Sequence, residues 1–142
     1  MSWTAPKTDW KETYAPDGTY TGDYFNLDPD YNRIKENIQY VKDYSLKLYT
    51  DFPLIAMDTF TIDNIPFDTF LNNIVNNVTL LETSLYKPPT DQPMKTYTGG
   101  LAGWNASELN IIEGNILRLY NAIVGQWNIL NKLSYMMGVD EF

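Results

Sequence analysis

The sequence predicts an all-α protein: a small helical domain of three internal repeats, each a short extended segment plus a helix, with an irregular aromatic N-terminal arm. Three observations predict it. A Thr-aromatic-Thr triplet recurs at Thr19-Tyr20-Thr21, Thr59-Phe60-Thr61 and Thr96-Tyr97-Thr98, at spacings of 40 and 37 residues. Each triplet is followed by one shared pattern, apolar-Asn-x-Ile-x-x-Asn-(Ile/Val)-x-x-(Val/Leu), which begins at Tyr31, Leu71 and Leu109. The second asparagine of that pattern follows the central aromatic by 17, 17 and 18 residues. Self-similarity at a fixed period is the mark of a repeat architecture. Each unit has room for only one helix, which excludes leucine-rich, ankyrin and tetratricopeptide repeats. The expected division is an arm over 1–26 and the three-repeat helical domain over 27–142.

The arm has no helical period. It carries Trp3, Trp10, Tyr14, Tyr20, Tyr24 and Phe25 among Pro, Gly, Thr and Asp, and Pro16-Asp17-Gly18 reads as a turn. Two uses are open for such an arm: wrapping its own helices, or docking into a neighbouring subunit. The triplets suit short extended segments, because Thr, Tyr and Phe favour pleated backbone.

The first helix is expected to start near Asp28, with Asp28 as cap and Pro29 at the first helical position. Its apolar stripe is Tyr31, Ile34, Ile38, Val41 and Leu48, with Arg33, Lys35, Glu36, Lys42 and Asp43 mostly off that face and Asp51-Phe52-Pro53 as the stop. The second begins around Pro66 with the stripe Phe67, Leu71, Ile74, Val78, Leu81 and Leu85, and stops at Lys87-Pro88-Pro89. Its cluster Asn72, Asn73, Asn76 and Asn77 suggests contacts on more than one side. The third opens on a capping-box pattern, Asn105-Ala106-Ser107-Glu108. Its stripe runs Leu109, Ile112, Ile116, Leu119, Ile123, Trp127, Leu130, Leu133 and Met137, and Gly125 allows a break or kink.

Asn37, Asn77 and Asn115 hold the matched position three residues after the stripe isoleucine, on or beside the buried face. A buried amide without partners costs about 1–3 kcal/mol. Each is therefore expected to hydrogen-bond the backbone of the loop leading into its own or a neighbouring helix; the alternative is three boundary asparagines facing water.

Composition narrows function. The 142 residues include no cysteine and no histidine. That removes disulfides, thiolate nucleophiles, thiolate metal sites and the commonest general base. Ten Lys and Arg against 18 Asp and Glu give a net charge of −8, the wrong sign for nucleic acid or an anionic membrane. No stretch approaches a membrane span, and no basic and apolar leader opens the chain, so no signal peptide is expected. Gly99-Gly100-Leu101-Ala102-Gly103 lacks the ending of a phosphate loop. Asp28-x-Asp30-x-Asn32 lacks the glycine and glutamate of a calcium loop, with Arg33 and Gln39 in their places. No catalytic residue, cofactor or metal is expected. Fifteen per cent aromatics, with 11 Tyr and 4 Trp, favour contact surfaces.

Trp3-Thr4-Ala5-Pro6-Lys7-Thr8-Asp9-Trp10, Asp23-Tyr24-Phe25-Asn26 and Tyr31-Asn32-Arg33-Ile34-Lys35-Glu36-Asn37-Ile38 together resemble a group of small proteins encoded in the tail and baseplate modules of phages and prophages of Gram-positive bacteria. Asp51-Phe52-Pro53 and Glu108-Leu109-Asn110 fit the same pattern, so the resemblance spans nearly the whole chain. Lys11 to Gly22 forms a longer insert than that group shows, and the second helix is richer in asparagine. The resemblance implies a location in the virion tail, after synthesis in the host cytoplasm, and carries over no activity and no catalytic residues. The reading that follows is a non-enzymatic structural component of a tail tip, baseplate or fibre attachment, present in several copies and joining other tail proteins. Trp3, Trp10, Tyr14, Tyr20, Trp104, Trp127 and Phe142 are the candidate contact residues. The alternative is a host-surface glycan-binding module; a carboxylate-dependent hydrolase is a distant third.

Overall fold

The computed structural model describes residues 3–57, 67–94 and 105–136, without the side chains of Leu27, Asp28, Phe67 and Asp68. The readings placed on the second and third triplets, Gly99 to Gly103, Trp104, Met137 and Phe142 lie outside the described residues, as does the capping by Asp28. What is described is all-helical: α1 (Asn32–Ser45), α2 (Phe67–Ser84) and α3 (Ala106–Met136), with a π-helical turn, Leu27–Tyr31, leading into α1. Among the described residues no strand forms.

The start of α1 is wider than a standard cap. The Tyr31 N–H reaches back five residues to the Asn26 carbonyl (3.0 Å). Asp30 in turn accepts the Asn26 N–H at Oδ2 (2.9 Å). This reciprocal pair satisfies helix-end groups as a capping box does, with one extra residue in the loop. The α1 end comes earlier than Asp51. The Ser45 hydroxyl donates to the Lys42 carbonyl (2.6 Å), and the Leu46 N–H falls back to Asp43 (3.3 Å). That competition from a serine side chain tightens the last turn, and Leu48 lies beyond the helix. At α3 the Asn105 Oδ1 accepts the Glu108 N–H (2.8 Å), and the helix runs unbroken through Gly125.

The three helices each touch the other two. Ile34, Ile74 and Ile112, the matched stripe positions, belong to one buried cluster with Ile38, Val41, Val78, Leu81, Ile116, Leu119 and Ile123. Each fully buried Ile or Leu contributes about 1.5–3 kcal/mol, so this shared centre is the main source of stability. The buried face of α2 is broad, taking in Phe70, Leu71, Ile74, Val75, Asn77, Val78, Leu81 and Glu82. α3 differs. Its stripe is buried from Leu109 to Ile123 and then surfaces: Leu133 is exposed, against the continuous buried stripe expected. The reason is length. At 1.5 Å per residue, α3 spans about 46 Å, and helices of 14 and 18 residues cannot cover all of it.

The arm lies on its own helices. Trp3 stacks on Tyr120 of α3 with ring centroids 3.8 Å apart and planes 5° off parallel. Trp10 is 5% exposed and joins the core cluster. Between Lys11 and Asp23 the chain makes a small, mostly exposed excursion. The Asp23 N–H donates to the Lys11 carbonyl (2.9 Å), and Tyr14 and Tyr20 form an isolated antiparallel bridge. Gly18 turns it with φ +90°. Gly22 sits so close to the Lys11 carbonyl that a Cβ would lie 2.4 Å from that oxygen.

Candidate functional site

The asparagines come first, because they place everything else. Asn37 accepts the Thr4 N–H (3.0 Å) and donates to the Thr4 carbonyl (2.7 Å). Asn77 does the same to Ile55 (2.7 and 2.8 Å), and Asn115 to Gln92 (3.0 and 2.9 Å). All three are at most 1% exposed. A primary amide presents an acceptor and a donor side by side, so each one pairs with the N–H and C=O of a single extended residue as a neighbouring strand would. Each clamped residue lies in the segment before the clamp's own helix. Asn110, the first asparagine of the third pattern, grips Trp10 in the same manner (2.7 and 3.0 Å). The sequence reading missed this fourth clamp; its signal was there, since Asn110 occupies a position that the repeated pattern already marks.

A buried ionic knot ties the arm to α1 and α3. Glu113 is 1% exposed and accepts Arg33 Nε (2.8 Å) and a second guanidinium nitrogen (2.9 Å). It also accepts the Lys7 N–H (3.1 Å) and the Trp10 indole N–H (2.5 Å). Asp30 takes the remaining arm of the fork at 3.0 Å. Burial works against the guanidinium charge, but the hydrogen bonds and charges of Glu113 and Asp30 outweigh it and hold Arg33 above its ordinary value. Arg33, read as off the core face, is therefore an inward residue. It can be inward because its whole fork meets carboxylate oxygen, the condition under which a buried charge is tolerated.

The candidate contact residues divide. Trp10 is corrected: it is a core residue whose N–H is spent on Glu113, so it is not available to a partner. Trp3 is half-buried against Tyr120 and Tyr40. Trp127 is half-buried with the Lys47 ammonium 5.2 Å from its ring centre. Tyr14 is 60% exposed, and Tyr20 stacks edge-on between Tyr14 and Tyr24 while donating its hydroxyl to the Asp23 carbonyl (2.6 Å).

Two surfaces among the described residues each combine exposed apolar or aromatic side chains with a cleft. One is the far end of α3, where Ile129, Leu133, Tyr135 and Met136 are exposed. From Leu119 to Met136 the only charged side chain is Lys132. Beside it Leu48, Tyr49, Gln126, Ile129 and Leu130 line a cleft of about 370 Å³. The sequence reading missed this surface, because the same i, i+3, i+4 spacing marks a buried stripe and an exposed one. The other is a cleft of about 330 Å³ lined by Tyr20, Tyr24 and Phe25 together with Glu12, Asp23 and Asn105.

No protein-family model, no curated protein and no solved structure matches the chain. Among the described residues no helix is long and apolar enough to cross a membrane.

Proposed function

We propose that this chain is a non-enzymatic structural component of a phage tail, at the tail tip, baseplate or fibre attachment, where several copies join neighbouring tail proteins. The observation that carries the reading is the far end of α3: a run of exposed Ile, Leu, Tyr and Met, almost without charge, on a chain of net charge −8. Contact surfaces are depleted of charge at their centres and enriched in aromatic residues and methionine, and a patch of this kind on a small protein marks an interaction site. The resemblance to tail-module proteins supplies the setting. The absence of histidine and cysteine from the chain supports a passive role.

The architecture fits three copies of one unit, an extended segment clamped by the asparagine of the helix that follows. Clamp and clamped residue are 22 and 23 residues apart in the second and third units and 33 in the first. The excess of 11 over the second unit equals the length of Glu12 to Gly22, the excursion closed by Lys11 and Asp23, so Thr19-Tyr20-Thr21, read from sequence as the extended segment of the first repeat, lies inside that excursion and is not the segment that Asn37 holds.

The test is the double variant Ile129→Glu with Leu133→Glu. Both side chains are exposed, so the purified variant is expected to keep the wild-type melting temperature within about 3 °C, as surface changes do. In a phage that carries the variant gene, electron micrographs should show particles with missing or defective tails. Normal tails would refute the assembly role.

A second reading, a host-surface glycan-binding module, is favoured by the tyrosine-walled cleft. Flat rings beside carboxylate and amide groups suit a polyhydroxylated ligand. Binding of cell-wall polysaccharide by the free monomer, lost in Tyr24→Ala, would support it over assembly.

A further inference from the structure

The segment between α2 and α3 is held by a pair of buried carboxyl groups that neither the clamps nor the contact surfaces use. Glu82 on α2 is 8% exposed, and the Asp91 side chain is fully buried. Asp91 Oδ1 receives Arg118 Nε from α3 at 2.8 Å. The other oxygen of Asp91, and one oxygen of Glu82, are shut off from solvent with no donor. A lone pair of buried oxygens without donors is costly. The two groups are nevertheless within hydrogen-bonding reach of each other. One proton shared between the two carboxyl groups supplies a donor at a place where the described residues offer these oxygens none.

We propose that Glu82 and Asp91 form a proton-binding site, a carboxyl–carboxylate pair that latches the 88–94 segment to α2 and α3 and opens when the shared proton is lost. With the proton in place the pair carries one negative charge, which Arg118 neutralises. Without it, two adjacent buried carboxylates face one guanidinium, and like charges at that range cannot both stay ionised in a dry site. Asp91 precedes Gln92, the residue that Asn115 clamps, and Arg118 also donates to the Asn115 Oδ1. Loss of the proton therefore strains the clamp next door as well as the latch.

The charged groups that bear on Glu82 are Asp91 and Lys87 from the connecting segment and Arg118 from α3. Burial, first, and then the hydrogen bond and charge of Asp91 push the Glu82 carboxyl up to about 8; Lys87 and Arg118 pull it down by less. The unfolded chain returns it to its ordinary 4.5. Between those values the folded protein binds the extra proton, so stability falls as pH rises. The contribution is complete below pH about 4.5 and is lost as pH passes about 8.

Two measurements test this. In the wild-type protein labelled with ¹³C at glutamate, the Glu82 carboxyl resonance should titrate with a midpoint near 8. Urea unfolding midpoints should fall between pH 5 and 9 in the wild type, and that slope should flatten in Glu82→Gln, whose amide donates to Asp91 at every pH. A Glu82 midpoint at or below 5, or a Glu82→Gln variant with an undiminished slope, would overturn the proposal. The resonance titration stands even if the variant does not fold.

Discussion

Each clamp asparagine does a job that no apolar residue of the same size can do. Asn77 is fully buried, yet both ends of its amide are engaged by Ile55. Asn77→Leu keeps the branched shape, though it is bulkier, and removes the donor and the acceptor, leaving the Ile55 N–H and C=O without partners. Urea denaturation should show a loss of about 1–3 kcal/mol; unchanged or higher stability would mean that water takes over both groups at no cost. Glu113 shows the same logic with charge. Its two oxygens serve four donors, so every group that enters the interior there has a partner.

At the scale of elements, the arm is two things in one stretch. Residues 3–10 are held by Asn37, Asn110 and Glu113, with backbone groups gripped at Thr4, Lys7 and Trp10. Glu12 to Gly22 is held by itself: Thr21 N–H to Thr13 carbonyl (2.8 Å), Ala15 N–H to Thr19 carbonyl (2.7 Å), and the edge-on tyrosines. Lys11 and Asp23 already make the hydrogen bond that closes a four-residue turn. Replacing Glu12 to Gly22 with Asn-Gly should therefore leave the helical fold intact, with helical circular dichroism unchanged and the melting temperature within about 5 °C of wild type. Collapse of the helical signal would show that the excursion supports the core.

At the scale of the molecule, the arm closes a core that three helices leave open. Trp10 fills the side between α1 and α3 and carries the Glu113 hydrogen bond there. Trp10→Ala should cost about 3–5 kcal/mol, as deletion of a buried tryptophan does. Tyr14→Ala, four residues along the same arm and 60% exposed, should fall within about 0.5 kcal/mol of wild type. Equal losses at the two positions in thermal denaturation would contradict this division of the arm. The opposite imbalance holds at the other end of the molecule. There α3 outruns its neighbours and leaves apolar surface uncovered, so the same chain is closed at the arm and open at the α3 terminus.

The three helices and the positions of the clamp asparagines were legible in the sequence, for a local reason. Apolar spacing, proline stops and the Asn105 cap act within a few residues, and the recurrence of one pattern put Asn37, Asn77 and Asn115 on equivalent faces. Where α1 begins and ends was less legible, because Asn26–Asp30 and Ser45 work through side-chain bonds that compete with the standard helical ladder. The partners that close the molecule lie 80 to 106 residues apart in the chain, as with Arg33 and Lys7 on Glu113, and no local pattern encodes which charge meets which. Local periodicity thus determined the three helices and the apolar stripe of each by itself. Which stripe the neighbours can cover, which aromatics are consumed within the core, and which carboxyls are forced together were decided by the tertiary structure alone, because burial belongs to the packed whole.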